Sequence, residues 1–174
     1  MKSKLSAYAV IFVWAICLCA RAQSVLEPDN FNTVVYLDTA SGKVVPLERE
    51  TASESTKLRA LGFGGAKQVA TVPGSSSPVQ FPAGQSHTFA VRLAQGADPG
   101  KFHLYKFAST GNARAVVLTN AYVVGAKAGM GTVHFDTSTL GTTSFKFVTE
   151  SNLPPGEYGF SANDSQDVYC FSLK

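Results

Sequence analysis

The sequence is poor in cysteine. Of its three, Cys17 and Cys19 fall in an N-terminal apolar run, and only Cys170 lies in the body of the chain. A lone cysteine has no intramolecular partner, so no disulfide framework is expected and the fold must rest on its core. About 150 residues can bury roughly two-thirds of their unfolded surface, enough for one domain without staples. Tryptophan is as scarce: Trp14 is the only one, and it lies in the same N-terminal run. That weakens the case for an aromatic platform that stacks on sugars. Helical stretches between strands are missing, which argues against a parallel sheet. After the N-terminal run no second apolar run is long enough for a spanning helix, which needs roughly 20 residues.

Residues 1–22 read as a secretory signal peptide. Lys2 and Lys4 begin it, Ala7 to Ala20 is uncharged and apolar, and Ala20-Arg21-Ala22 is an Ala-x-Ala cleavage site before Gln23. Ile16 and Leu18 stand where a lipid-attachment site would have a small residue, so cleavage is expected rather than lipidation. Loss of Lys2, Lys4 and Arg21 reduces 15 basic residues to 12, against 12 acidic ones. The mature chain is then formally neutral. Without a basic run it lacks the electrostatic footprint of a nucleic-acid binder or of a membrane-surface protein. A secreted or periplasmic location follows, with no integral membrane segment after cleavage.

What the chain does have is alternation. Residues 23–32 form a polar N-terminal arm, and residues 33–174 a single all-β domain. Thr33–Leu37 and Lys43–Glu48 make a hairpin across the turn Asp38–Gly42, with Pro46 marking an edge strand. Arg49–Ala60 reads as loop, with a short helix over Glu54–Leu61 as the alternative. Lys67–Val72 is a strand and Val79–Phe81 a short extended piece. In Ser86–Leu93, residues His87, Phe89, Val91 and Leu93 share one face. Phe102–Phe107 and Ala113–Leu118 form a second hairpin; Gly131–Asp136 and Thr142–Val148 form a third. Nine or ten strands at this spacing predict an antiparallel β-sandwich, with a β-barrel as the alternative.

The closing stretch carries the strongest local signal. Pro154, Pro155 and Gly156 turn the chain; Tyr158, Phe160 and Ala162 then fall on one strand face, and Val168–Leu173 returns. Glu157 falls on the opposite face, which predicts a solvent-exposed side chain. Tyr158 is expected to point inward, with its hydroxyl bonded to a backbone carbonyl around Thr149–Asn152. Cys170, between Tyr169 and Phe171, is expected to be buried and inert. Leu153-Pro-Pro-Gly-Glu-Tyr158 resembles a corner of secreted sandwich families, both the immunoglobulin-like and fibronectin type III group and the prealbumin-like repeats of bacterial surface proteins. The resemblance spans about ten residues and implies a sandwich whose tyrosine hydroxyl bonds the backbone just upstream. Prealbumin-like repeats with an internal isopeptide bond often carry a glutamate four residues after the tyrosine. Here that position is Ala162, so the cross-link is not expected.

Sites of chemistry are few. His134 and Asp136 are two apart on one strand face and could ligate a metal or act as base and orienter, but spacing supplies no third ligand. No metal and no cofactor is therefore expected. His87 and His103 lie in apolar-patterned strands and read as structural. Leu61-Gly-Phe-Gly-Gly65 lacks both the P-loop ending and the dinucleotide glycine spacing. No Gly-x-Ser-x-Gly elbow occurs. Asn163-Asp-Ser165 is a glycosylation sequon. The expectation is a non-catalytic binding or structural module of the cell envelope, able to take a protein partner at an edge strand. A small secreted hydrolase and a small-ligand carrier with a barrel cavity remain the alternatives.

Overall fold

The computed structural model describes residues 26–58, 66–121, 126–128, 131–163 and 165–174. Residues 1–22, read from sequence as a signal peptide, and the glycine-rich stretch 61–65 lie outside them. In the first half the strands are β1 (Val34–Asp38), β2 (Lys43–Pro46), β3 (Glu48–Thr51), β4 (Ser53–Leu58), β5 (Ala66–Pro73), β6 (Gln80–Phe81) and β7 (Thr88–Arg92). In the second half they are β8 (Phe102–Thr110), β9 (Ala113–Ala121), β10 (Ala126–Ala128), β11 (Thr132–Val133), β12 (Phe135–Thr139), β13 (Ser144–Thr149), β14 (Gly156–Ala162) and β15 (Asp167–Leu173). A 3-10 turn, Pro99–Lys101, precedes β8. The chain is all-β, as its alternation predicts. No helix long and apolar enough to cross a membrane occurs among the described residues.

Two antiparallel sheets are formed. The smaller has the order β12-β13-β7-β1-β2, so the Pro46 strand does lie at an edge. The larger has the path β3-β15-β14-β8-β9-β5-β4, with β6, β10 and β11 paired onto it. Its two ends are one run of chain: β3 pairs with β15, and after the single residue Ala52, β4 pairs with β5. The larger sheet therefore curls back toward itself as a half-barrel.

The hairpin β14–β15 is the wall between two cores. Tyr158, Phe160, Tyr169, Phe171 and Leu173 face the smaller sheet and pack with Phe89, Val91 and Phe147. Their alternates Val168 and Cys170 face into the curl with Val72, Phe107 and Val116. Burial on both faces explains why β15 reads as a nearly continuous apolar run. In and beside β7, His87, Phe89, Val91 and Leu93 are all buried, as their spacing predicts.

The described residues hold fifteen strands rather than nine or ten, and two local expectations also need correction. Of the stretch expected to be loop or helix, residues 59–61 lie outside the described residues, and residues 49–51 and 53–58 are strand. Their outward side chains are polar and their inward ones are short or acidic, so the apolar alternation of a strand is missing; pairing with β15 and β5 decides the conformation. The stretch 131–136 is two strands broken at His134: β11 pairs with β8 in the curled sheet, and β12 pairs with β13 in the other. The chain crosses between sheets there, so the third hairpin begins only at Phe135. The N-terminal arm is tied to the fold, because the Asn32 amide donates to the Arg92 carbonyl at 2.7 Å. The Ser144 hydroxyl also donates to the Glu27 carboxylate at 3.0 Å.

Candidate functional site

Side chains inside the curl form three levels, because alternate residues of β5, β8, β9, β14 and β15 all project there. One end is closed by a polar cluster around Arg114, which is fully buried. Its Nη1 donates to Glu48 Oε2 at 2.9 Å, Nε to the Gly74 carbonyl at 3.1 Å and Nη2 to the Pro73 carbonyl at 2.9 Å. Glu157 Oε2 lies 3.7 Å from Nη1. Glu157 also accepts from the Ser76 hydroxyl (2.8 Å), the Ser77 amide (2.8 Å) and the Ser172 hydroxyl (2.7 Å). The outward placement expected for Glu157 is thus overturned: it is 9% exposed. Because the sheet curls, the face away from the intersheet core is a second interior. The carboxylates and the guanidinium satisfy one another, so this end is a structural plug.

The middle level is apolar, with Val72, Phe107, Val116 and Cys170 in contact around Gly159. A Cβ on Gly159 would stand 2.7 Å from Val168 Cγ1 and 3.1 Å from Phe107 Cε2. The backbone of β14 can approach only because that side chain is absent.

The third level is open. A cavity of about 530 Å³ enters the curl where the β14–β15 turn lies. Tyr105, Phe107, Val116, Leu118 and Val168 supply its apolar walls. Glu54, Gln68, His103 and Thr119 supply polar groups. Gln68 Nε2 donates to Glu54 Oε2 at 2.7 Å across the β4–β5 pair. Burial pushes the Tyr105 phenol above its ordinary pKa, and the nearby Glu54 carboxylate adds to the rise. Ser161, also lining the cavity, donates to the Asp167 carbonyl at 2.9 Å and so braces the turn. This volume and mixture of walls suit a small ligand held by apolar contact and oriented by few polar groups. Another cavity of about 530 Å³ lies between the sheets near Leu93 and Phe102, but turn residues Gly96, Ala97, Asp98 and Ser165 form much of its wall.

None of the site residues singled out from sequence lines the open level. His134 and Asp136 are 73% and 85% exposed, with Nε2 and Oδ1 3.6 Å apart. No group of three or more His, Cys, Asp or Glu side chains that could hold a metal occurs among the described residues. Pro155 is exposed at the corner, and Gly156 opens β14 opposite Leu173. Tyr158 is fully buried, and its hydroxyl donates to the Pro154 carbonyl at 2.7 Å. That acceptor is nearer than the expected Thr149–Asn152, because the double-proline corner folds back over the ring. Cys170 is fully buried, and burial pushes its pKa up to about 12.

Of the histidines, His87 is buried beside Phe81 and Tyr36, and burial holds its pKa below the ordinary value. Its Nε2 lies 2.8 Å from the Pro82 carbonyl, which can only accept, so Nε2 carries the hydrogen. His103 reaches the cavity, which sequence reasoning did not foresee. Glu54, Gln68 and Tyr105 were missed for the same reason: they meet only because β4 and β8 are brought to one rim by the curl. For Gln68, His103 and Tyr105, placement in strands was the available signal; Glu54 lies in a stretch that reads as loop or helix.

With this geometry in view, comparison with family models finds no match. Searches of curated proteins and of solved structures likewise return no similar chain. The class defined here is an all-β protein of two antiparallel sheets, one of them curled around a cavity.

Proposed function

We propose that the protein is a non-catalytic binding module of the cell envelope, secreted or periplasmic after removal of residues 1–22, whose ligand enters the mouth of the curled sheet. The cavity walled by Tyr105, Phe107 and Leu118 carries this reading. It brings together two expectations from sequence, the binding module and the small-ligand carrier. The Leu153–Tyr158 corner supports the immunoglobulin-like, fibronectin type III-like or prealbumin-like resemblance as one of architecture. Residues 33–174 would then act as one domain, with the polar Arg114 plug closing one end of the curl and the cavity left for binding at the other. Screening small amphiphilic fragments against amide NMR shifts of the mature chain tests the reading. Shifts clustered on Gln68, Tyr105, Leu118 and Ser161 support it; fragments that shift only residues outside the curl refute it.

A further inference from the structure

We propose that the cavity selects a small organic cation: an amine carried on a compact aromatic or aliphatic body. The inference rests on the reading of the curled sheet as a ligand site and adds the sign of the charge it takes.

The interior of the curl is acidic. Glu48, Glu50, Ala52 and Glu54 alternate inward along β3 and β4, and Glu157 joins them from β14. Glu48, Glu50 and Glu157 all act on the Cys170 thiol in the middle level, each raising its pKa. Against these four carboxylates, Arg114 is the one Lys or Arg side chain placed inside the curl among the described residues, and it is fully engaged at the closed end. Lys57 and Lys67, neighbours across β4 and β5, alternate with the inward residues and so stand on the outer face. At the mouth, Glu54 is the one carboxylate or fixed charge among the described lining residues. Gln68 occupies its Oε2 and steadies the carboxylate, leaving Oε1 as an acceptor.

Tyr105 and Phe107 place aromatic rings on the same wall. A cation near an aromatic face is attracted by the ring quadrupole, and more so when partly desolvated. An ammonium at Glu54 with its apolar body against Phe107 and Leu118 satisfies both sets of walls. A carboxylate in that place would face Glu54 and the field of the acidic interior with no basic lining group beside it except His103.

Three probes of one shape separate charge from apolar fit: phenethylamine, phenethyl alcohol and phenylacetate, each titrated against amide NMR shifts of the mature chain at neutral pH. Phenethylamine should bind tightest, shift Gln68, Tyr105 and Leu118, and weaken as salt is raised. Glu54→Gln should weaken phenethylamine roughly fivefold, the size of a partly screened ion pair, and weaken phenethyl alcohol by much less. If the alcohol or phenylacetate binds the same residues as tightly as the amine, the charge preference is overturned while the ligand site stands. If all three probes shift only residues outside the curl, both the charge preference and the site are overturned.

Discussion

The Tyr158 hydroxyl donates to the Pro154 carbonyl four residues upstream, at 2.7 Å, while the Tyr158 ring stacks on Phe171 at 5.6 Å between centroids. One side chain thereby joins the proline corner to the closing strand. Burial also raises its pKa. Tyr158→Phe keeps the ring and strands the acceptor, so it should cost on the order of 1 kcal/mol. Tyr158→Ala removes a large core aromatic and should cost roughly 3–5 kcal/mol. Denaturant melts of both variants measure this, and an Ala variant as stable as wild type would contradict the placement.

Arg114 is the second long-range tie. Replacing it by Met leaves Glu48 and Glu157 facing each other without a counter-charge, at an expected cost of about 3 kcal/mol. Adding Glu157→Gln to Arg114→Met should recover part of the loss. Arg114→Lys should not substitute, since one ammonium cannot reach Glu48, Pro73 and Gly74 with the same fork of donors. Midpoints of urea unfolding for the three variants check this, and an undiminished Arg114→Met midpoint would contradict it.

The contrast between these two ties shows what could be read in the sequence. Tyr158 was legible because its signals are local: prolines set the corner, and period two sets the face. The same holds for His87–Leu93 and for the edge position of Pro46. Glu157 was misread because alternation says only which residues lie opposite Tyr158. Whether that opposite face meets water depends on the sheet curling through β3 and β4, a nonlocal event carried by polar strands with no apolar alternation. The site inherits the same difficulty, since Glu54, Gln68, His103 and Tyr105 become neighbours only through that curl.

Gly159 sets how closely the curl can close. A methyl group there would press on Val168 and Phe107, and such overpacking typically costs about 1–3 kcal/mol. Gly159→Ala should therefore lower the thermal midpoint. Combined with Val168→Ala, which frees space at the nearest contact, the loss should be less than the sum of the single losses. Strict additivity would contradict the contact.

Cys170 should make alkaline stability fall. Its pKa is about 12 when folded, against an ordinary 9.0, so the folded chain holds the proton more tightly. The corresponding stability is complete below pH 9 and is lost as pH rises toward 12. Thiol labelling of the native protein should stay slow at pH 8 and speed up only with denaturant. Fast native labelling by a bulky reagent would contradict burial.

The claim that the curl is a ligand site is tested most directly by Leu118→Trp in a chain of residues 23–174, which contains no other tryptophan. Val44→Trp, at an exposed position on β2, serves as control. Titration with phenethylamine, phenethyl alcohol and phenylacetate should change the emission of Leu118→Trp for at least one probe and leave Val44→Trp unchanged. An equal response at both positions, or silence at Leu118→Trp with all three probes, would contradict a ligand site in the curled sheet.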